Sequence, residues 1–83
     1  MAEKKIGEIT HYYSNIGVGI IMLSDALKVG DTIRIMGATT DFEQSVDEMQ
    51  YDHENIEEAK AGKEVGIKVE DKVRDRDEVY LVE

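Results

Sequence analysis

The chain contains no cysteine and no proline, and it has no long uninterrupted run of apolar residues. Without cysteine, neither a disulfide framework nor a thiolate metal site is available to the fold. No segment has the length and apolar character of a membrane span or of a secretory signal, so we expect a cytoplasmic protein that does not cross a membrane. Because proline is absent, the seven glycines mark the turns.

Basic residues are missing from one segment of the chain. Residues 41–59 contain eight acidic residues and neither lysine nor arginine, so this segment carries most of the net charge of −9. Binding of nucleic acid without sequence preference needs clustered lysine and arginine, and this composition disfavours it. The segment is either a solvated face that keeps a small protein in solution or a surface that meets a basic partner.

The chain is short, which limits its architecture. Its 83 residues are enough for one domain, residues 1–83, with no second lobe. A domain of this size buries only about 60–65% of the surface of its unfolded chain, so its core must be built from few side chains.

Residue alternation near the amino terminus predicts a hairpin. The stretch "GEITHYY" alternates Ile9, His11 and Tyr13 against Thr10 and Tyr12. "SNIG" then has the composition of a turn, and "VGIIML" resumes a β-branched run. Two strands joined by a short turn are the simplest structure with this pattern.

Three further stretches are also typical of strands. "LKVGD" is a turn in which Gly30 is expected to adopt a positive φ, and "TIRIMG" follows with Ile33 and Ile35 facing inward. "EVGIKV" places Val65, Ile67 and Val69 inward and leaves Gly66 outward, and "EVYLVE" comes last. Five or six short strands at this spacing indicate a small barrel.

The acidic segment allows two structures. Phe42, Val46, Met49, His53 and Ile56 follow a spacing of four and three residues, which is the stripe of an amphipathic helix. In the alternative strand, Phe42, Gln44 and Val46 share a face, and a bulge at residues 47–48 returns Met49 and Tyr51 to that face. Periodicity alone favours the helix.

The ordered set "IGEITHYYSNIGVGIIML", "LKVGDTIRIMG", "VDEMQYD", "EEAKAGKEVGIKV" and "DEVYLVE" resembles the second domain of translational GTPases such as elongation factor Tu and initiation factor two. It is also similar to the carboxy-terminal barrel of collagenase-like peptidases, a group that includes tRNA-modifying proteins. The resemblance covers nearly the whole chain.

This resemblance implies an all-β fold, a small closed antiparallel barrel of six strands with one short helical turn near residues 55–60. Residues 41–51 then form a bulged strand. Gly62 supplies a tight turn, and Gly66 leaves room where a neighbouring backbone or a bulge comes close.

The chain also departs from the translation factors. "MLSDALKVGD" lacks the arginine that follows their first hairpin, so no tRNA-binding residue is carried over. No G-x-x-x-x-G-K-[ST] loop is present, so we expect no nucleotide to bind.

The sequence predicts no catalytic group, cofactor or metal. His11 and His53 are the only imidazoles, and neither has a visible partner, although Ser14 lies near His11 in the sequence. "DHE" at 52–54 could contribute to a metal site together with another acidic residue, but it shows no loop motif. "DKVRDRDE" at 71–78 lacks the glycine and the terminal glutamate of a calcium loop, so it is interpreted as a solvated loop.

Partner binding is the predicted activity. The leading hypothesis is a non-catalytic module that docks to a protein or ribonucleoprotein of translation or tRNA modification, with Glu43, Asp47 and Glu48 meeting a basic surface. An alternative is an accessory subunit of a collagenase-like peptidase or tRNA-modifying enzyme. A third is direct RNA binding through Tyr12, Tyr13 and Arg34. Other side chains available to RNA are Tyr51, Lys60, Lys63 and Lys68.

Overall fold

The amino-terminal hairpin forms where the sequence predicts it, and it lies at the centre of the sheet. In this computed structural model, which describes residues 3–52 and 54–82, the described chain contains strands and turns and no helix. The strands are β1 (Glu3–Tyr13), β2 (Val18–Leu23), β3 (Leu27–Lys28), β4 (Thr32–Met36), β5 (Asp41–Ser45), β6 (Met49–Tyr51), β7 (Glu54–Ile56), β8 (Glu58–Ala59), β9 (Glu64–Lys68) and β10 (Glu78–Val82). Among these residues, therefore, no helix is long and apolar enough to cross a membrane.

Eight strands form one antiparallel sheet in the order β5–β4–β10–β1–β2–β9–β6–β7, and β3 pairs with β8 separately. The core is made almost entirely of aliphatic side chains, most of them from the inner face of this sheet and the others from β3, β8 and the connecting segments. Ile33 and Ile35 of β4 and Val65 and Ile67 of β9 are buried, as their alternation predicts. Gly30 has a φ of 99° in the turn before β4, which confirms the predicted positive value.

The predicted closed barrel of six strands is wrong. The main sheet has eight strands and two free ends, at β5 and β7. Three residues, 46–48, carry the chain from β5 to β6, which pairs near the opposite end of the sheet. β5 therefore lies close to the carboxyl end of β9, without backbone pairing between the two strands.

The side chain of Gln44 spans the gap between β5 and the carboxyl end of β9. Its Nε2 donates to the carbonyl oxygen of Lys68 at 2.8 Å, and its Oε1 accepts from the backbone N–H of Glu70 at 2.8 Å. A residue of a parallel strand would make the same two bonds, because it pairs with the residues before and after its neighbour. One side-chain amide thus replaces a missing stretch of backbone pairing.

The acidic segment is extended, so the helix favoured by periodicity and the helical turn at 55–60 are both wrong. Residues 54–56 and 58–59 belong to β7 and β8. Phe42, Gln44 and Val46 do share the inner face, but the chain breaks at 46–48 where a bulge was expected, and Tyr51 is exposed. Spacings of four and three match a helix, but strands separated by a break can produce them too.

A β-bulge in β1 changes which tyrosine contacts the core. The register with β2 shifts between Ile9 and His11, leaving Thr10 as the extra residue. Beyond the bulge the faces exchange, so Tyr12 packs against the core and Tyr13 is exposed. The simple alternation had placed Tyr13 with Ile9.

The backbone of a neighbouring strand comes close at Gly7. The sequence had predicted such a close approach at Gly66 instead. A Cβ on Gly7 would lie 2.7 Å from the carbonyl oxygen of Met22, beside a register shift between β1 and β10. A Cβ on Gly66 would instead meet two side chains, Ile20 and Val18, at 3.3 Å. Gly66 therefore opens a notch on the outer face of the sheet.

Candidate functional site

Of the residues considered for catalysis, those that the structure describes do not form a reactive group. His11 is exposed, and its ring lies 4.4 Å from the ring of Tyr13, edge to face. His53 lies outside the described residues. Within the described chain, no cluster of three or more acidic or histidine side chains can hold a metal ion.

The segment 71–78 is less solvated than expected. Val73 and Asp77 are buried, and Asp77 Oδ2 accepts from the backbone N–H of Arg74 at 2.9 Å. The backbone N–H of Ile9 donates to the carbonyl of Asp77 at 2.7 Å, which ties the segment to β1. These contacts give the segment a structural role as a loop anchored by its own acid.

Arg34 is held by acidic neighbours on the outer face of β4. Its guanidinium donates to both carboxylate oxygens of Asp41, at 2.9 and 3.2 Å, and to Glu3 at 3.2 Å. The hydrogen bonds from Arg34 hold the pKa of Asp41 below its ordinary value. This arrangement neutralises the arginine locally.

The structure does not bring Arg34 together with the tyrosines considered for RNA binding. In the register of the sheet, Arg34 lies opposite Tyr80, and Tyr80 lies opposite Lys5. Lys5 and Tyr13 are eight residues apart along β1, which is a distance of about 25 Å. Tyr12 is also half-buried against the core.

The three predicted acidic contact residues lie on two surfaces. Asp47 and Glu48 line an open groove of about 690 Å³ beside Gln44, together with Lys68 and Glu70. Glu43 lies on the outer face of β5, paired in register with Arg34. An acidic groove is thus present, but Glu43 does not line it.

Sequence reasoning missed a second surface, on the outer face of β1, β2 and β9. Tyr13, Ile16, Val18, Ile20, Gln50, Asp52, Glu64 and Gly66 line a groove of about 440 Å³, called here the Gly66 groove. The pairings Tyr13↔Val18 and Ile20↔Gly66 set the apolar side chains around the notch. The available signal was "VGIIML", a run that is apolar on both faces of its strand.

Comparison with known proteins points to peptidases. The chain is 43% identical over 79 residues to an uncharacterized protease of Methanocaldococcus jannaschii, covering 94% of this chain and 19% of that protein. It is 36% identical over 77 residues to a collagenase of Porphyromonas gingivalis, covering 90% of this chain and 21% of that protein. The chain therefore spans about a fifth of the length of these relatives. No family model matches it.

The fold matches a solved domain from another peptidase. The carboxy-terminal domain of a Geobacillus thermoleovorans putative U32 peptidase superimposes with a TM-score of 0.90 at 14% identity, covering 96% of this chain and 93% of that one. The predicted similarity to collagenase-like peptidases is thus confirmed in sequence and fold. These relatives are not named as translation factors, so the elongation- and initiation-factor part of the resemblance has no support from them.

Proposed function

We propose that this chain is a non-catalytic accessory domain of a collagenase-like peptidase, which positions or completes the part of the enzyme that carries the catalytic groups. The main support is the extent of the match, since nearly the whole chain is similar to about a fifth of a protease. A self-contained unit of that size beside a larger remainder is typical of an accessory domain.

The chemistry of the described residues agrees with this role. Hydrolysis of a peptide bond needs a nucleophile or an activated water, with a base within hydrogen-bond reach. His11 instead contacts an aromatic ring, and the acids of the described chain form no metal cluster. In this proposal, the catalytic groups belong to the remaining four fifths of such an enzyme.

A domain exchange tests the proposal. In the collagenase of Porphyromonas gingivalis, the 77 matched residues are replaced either by this chain or by a flexible glycine–serine linker. We expect the version with this chain to keep collagen cleavage and a cooperative thermal transition, and the linker version to lose both. Equal loss in the two versions, with this chain shown by limited proteolysis to be folded in its place, would contradict the proposal.

A further inference from the structure

We propose that the Gly66 groove is the surface by which this domain docks on the catalytic part of the peptidase, and that the docked segment presents an apolar side chain flanked by lysine or arginine. The inference rests on the proposed accessory function and adds the contact surface and the chemistry of its partner.

The first support is the clustering of exposed apolar side chains. Among the described residues, five large apolar side chains are exposed, and Tyr13, Ile16 and Met22 all belong to the β1–β2 hairpin. Ile16, at 59%, is the most exposed of them. Of these, Tyr13 and Ile16 line the Gly66 groove together with Val18 and Ile20, whereas Met22 lies outside it. Single apolar residues on a surface are ordinary, but several that line one groove with polar residues at its rim mark an interaction site.

The second support is the shape of the groove. Ile20, Gly66 and Gln50 lie side by side across β2, β9 and β6. Because Gly66 has no side chain, the outer face has a notch between Ile20 and Gln50, and Val18 and Ile20 form its apolar wall. An apolar side chain from a partner fits such a notch as an anchor, while the surrounding polar residues exclude water.

The third support is the sign of the charge at the rim. Asp52 and Glu64 are the charged residues among those described that line the groove. Glu64 accepts from the hydroxyl of Thr10 at 3.0 Å, whereas Asp52 has no hydrogen bond or ion pair within the described chain. Lys68, the base paired with Val18 in register, lines the other groove.

This charge decides between the possible occupants. A second copy of the chain would bring the same acids together and would add another net charge of −9, so repulsion opposes self-association. The phosphates of a nucleic acid would be repelled in the same way. A protein segment with basic residues beside an apolar anchor is complementary in both respects.

The test uses the collagenase carrying this chain, with Ile16→Asp or Tyr13→Ser in the groove and Val29→Asp as the control. Val29 is also an exposed apolar residue, at 37%, but it lies in the turn before β4. We expect the groove variants to split the single thermal transition into two and to speed proteolysis between the domains at least about tenfold. The control is expected to behave as the parent.

If the groove variants and the control behave alike while the parent chimera is active, the docking surface is wrong and the accessory function stands. If the parent chimera behaves as the linker version, the accessory function itself fails. Sedimentation of the isolated chain is a further test. If the chain is a dimer and Ile16→Asp makes it a monomer, a second copy occupies the groove, and the proposal is overturned.

The charge of the partner is tested by Asp52→Asn with Glu64→Gln in the same chimera. Raising NaCl from about 50 to about 300 mM is expected to weaken docking of the parent and to have little effect on the double variant. Glu43→Gln with Glu57→Gln removes the same charge elsewhere and is expected to keep the salt response. Equal responses in all three proteins would contradict a basic partner.

Discussion

The side-chain amide of Gln44 makes the two hydrogen bonds that the backbone of a neighbouring strand would otherwise make. This amide is buried and makes two bonds of 2.8 Å to backbone groups, one at the last residue of β9 and one beyond it. Removing it leaves a carbonyl and an N–H without partners at the margin of the sheet, and such groups are costly when they are not hydrogen-bonded.

We predict that Gln44→Ala lowers the free energy of unfolding by about 1–3 kcal/mol, measured by urea denaturation. Gln50→Ala is the control, because Gln50 is exposed and, among the described residues, its amide binds only the side chain of Asn55. Gln44→Glu separates the two bonds, since a carboxylate still accepts from Glu70 N–H but cannot donate to Lys68. That variant is expected to regain stability in acid, where a protonated carboxyl donates again, and a pH-independent loss would contradict this explanation.

The pair of Asp41 and Arg34 predicts a pH dependence. Hydrogen bonds from Arg34 lower the pKa of Asp41 in the folded protein. The pair therefore stabilises the fold above the unfolded-state pKa of about 4, and its contribution disappears as the pH falls through the lower folded-state value.

The change to make is Asp41→Asn, followed by thermal unfolding across pH. We expect the variant to melt below the parent near pH 6, and the two curves to converge near pH 2. Glu43→Gln, on the same strand, is the control, because Glu43 has no ion pair within the described chain. The melting curves of this variant and of the parent are not expected to converge in the same way in acid. A gap that widens in acid would show that the sign is wrong.

At the scale of elements, two connections meet at Gly37 and Asp77. Asp77 is 5% exposed, and its carboxylate occupies the position where a Cβ on Gly37 would lie. The turn between β4 and β5 is therefore shaped to the loop that leads into β10.

We predict that Gly37→Ala destabilises the protein by about 1–3 kcal/mol, because the buried carboxylate must move and its bond to Arg74 N–H is strained. Asp77→Ala is also destabilising, since it removes that bond. In the double variant, the penalty of the alanine at position 37 is expected to disappear, which a double-mutant cycle measures. Additive effects would mean that the two sites do not share this space.

The limits of sequence reasoning also lie at this scale. Period-two alternation located β4 and β9 and the inward residues Ile33 and Ile67, because those strands are regular. It failed at β1, where one extra residue at Thr10 reverses the faces, and after Val46, where the strand breaks. A pattern read along one strand contains neither the register of its neighbour nor the place where pairing changes.

The candidate site was hidden for a related reason. Gly66 was correctly placed on the outer face, but a single strand does not reveal whether its outer face is covered. Only the sheet order shows that Tyr13, Val18 and Ile20 are neighbours around that glycine.

For the molecule as a whole, the net charge of −9 predicts a salt dependence of stability. Self-repulsion opposes the compact state and is screened by added salt. We expect the melting temperature to rise between about 20 and about 300 mM NaCl. The variant Asp47→Asn with Glu48→Gln should show a smaller rise, and a fall in the parent would indicate that its ion pairs outweigh the repulsion.

The first and last described strands are hydrogen-bonded to each other, with Glu3 opposite Val82. The points where the described chain enters and leaves the sheet are therefore about 5 Å apart. Such a unit can be spliced into a surface loop of a host enzyme with little distortion of either partner. The same geometry allows a circular permutant. In it, a short linker joins the two ends of the described chain, and new termini are placed in the turn at 60–63. This permutant would keep all the strand pairs.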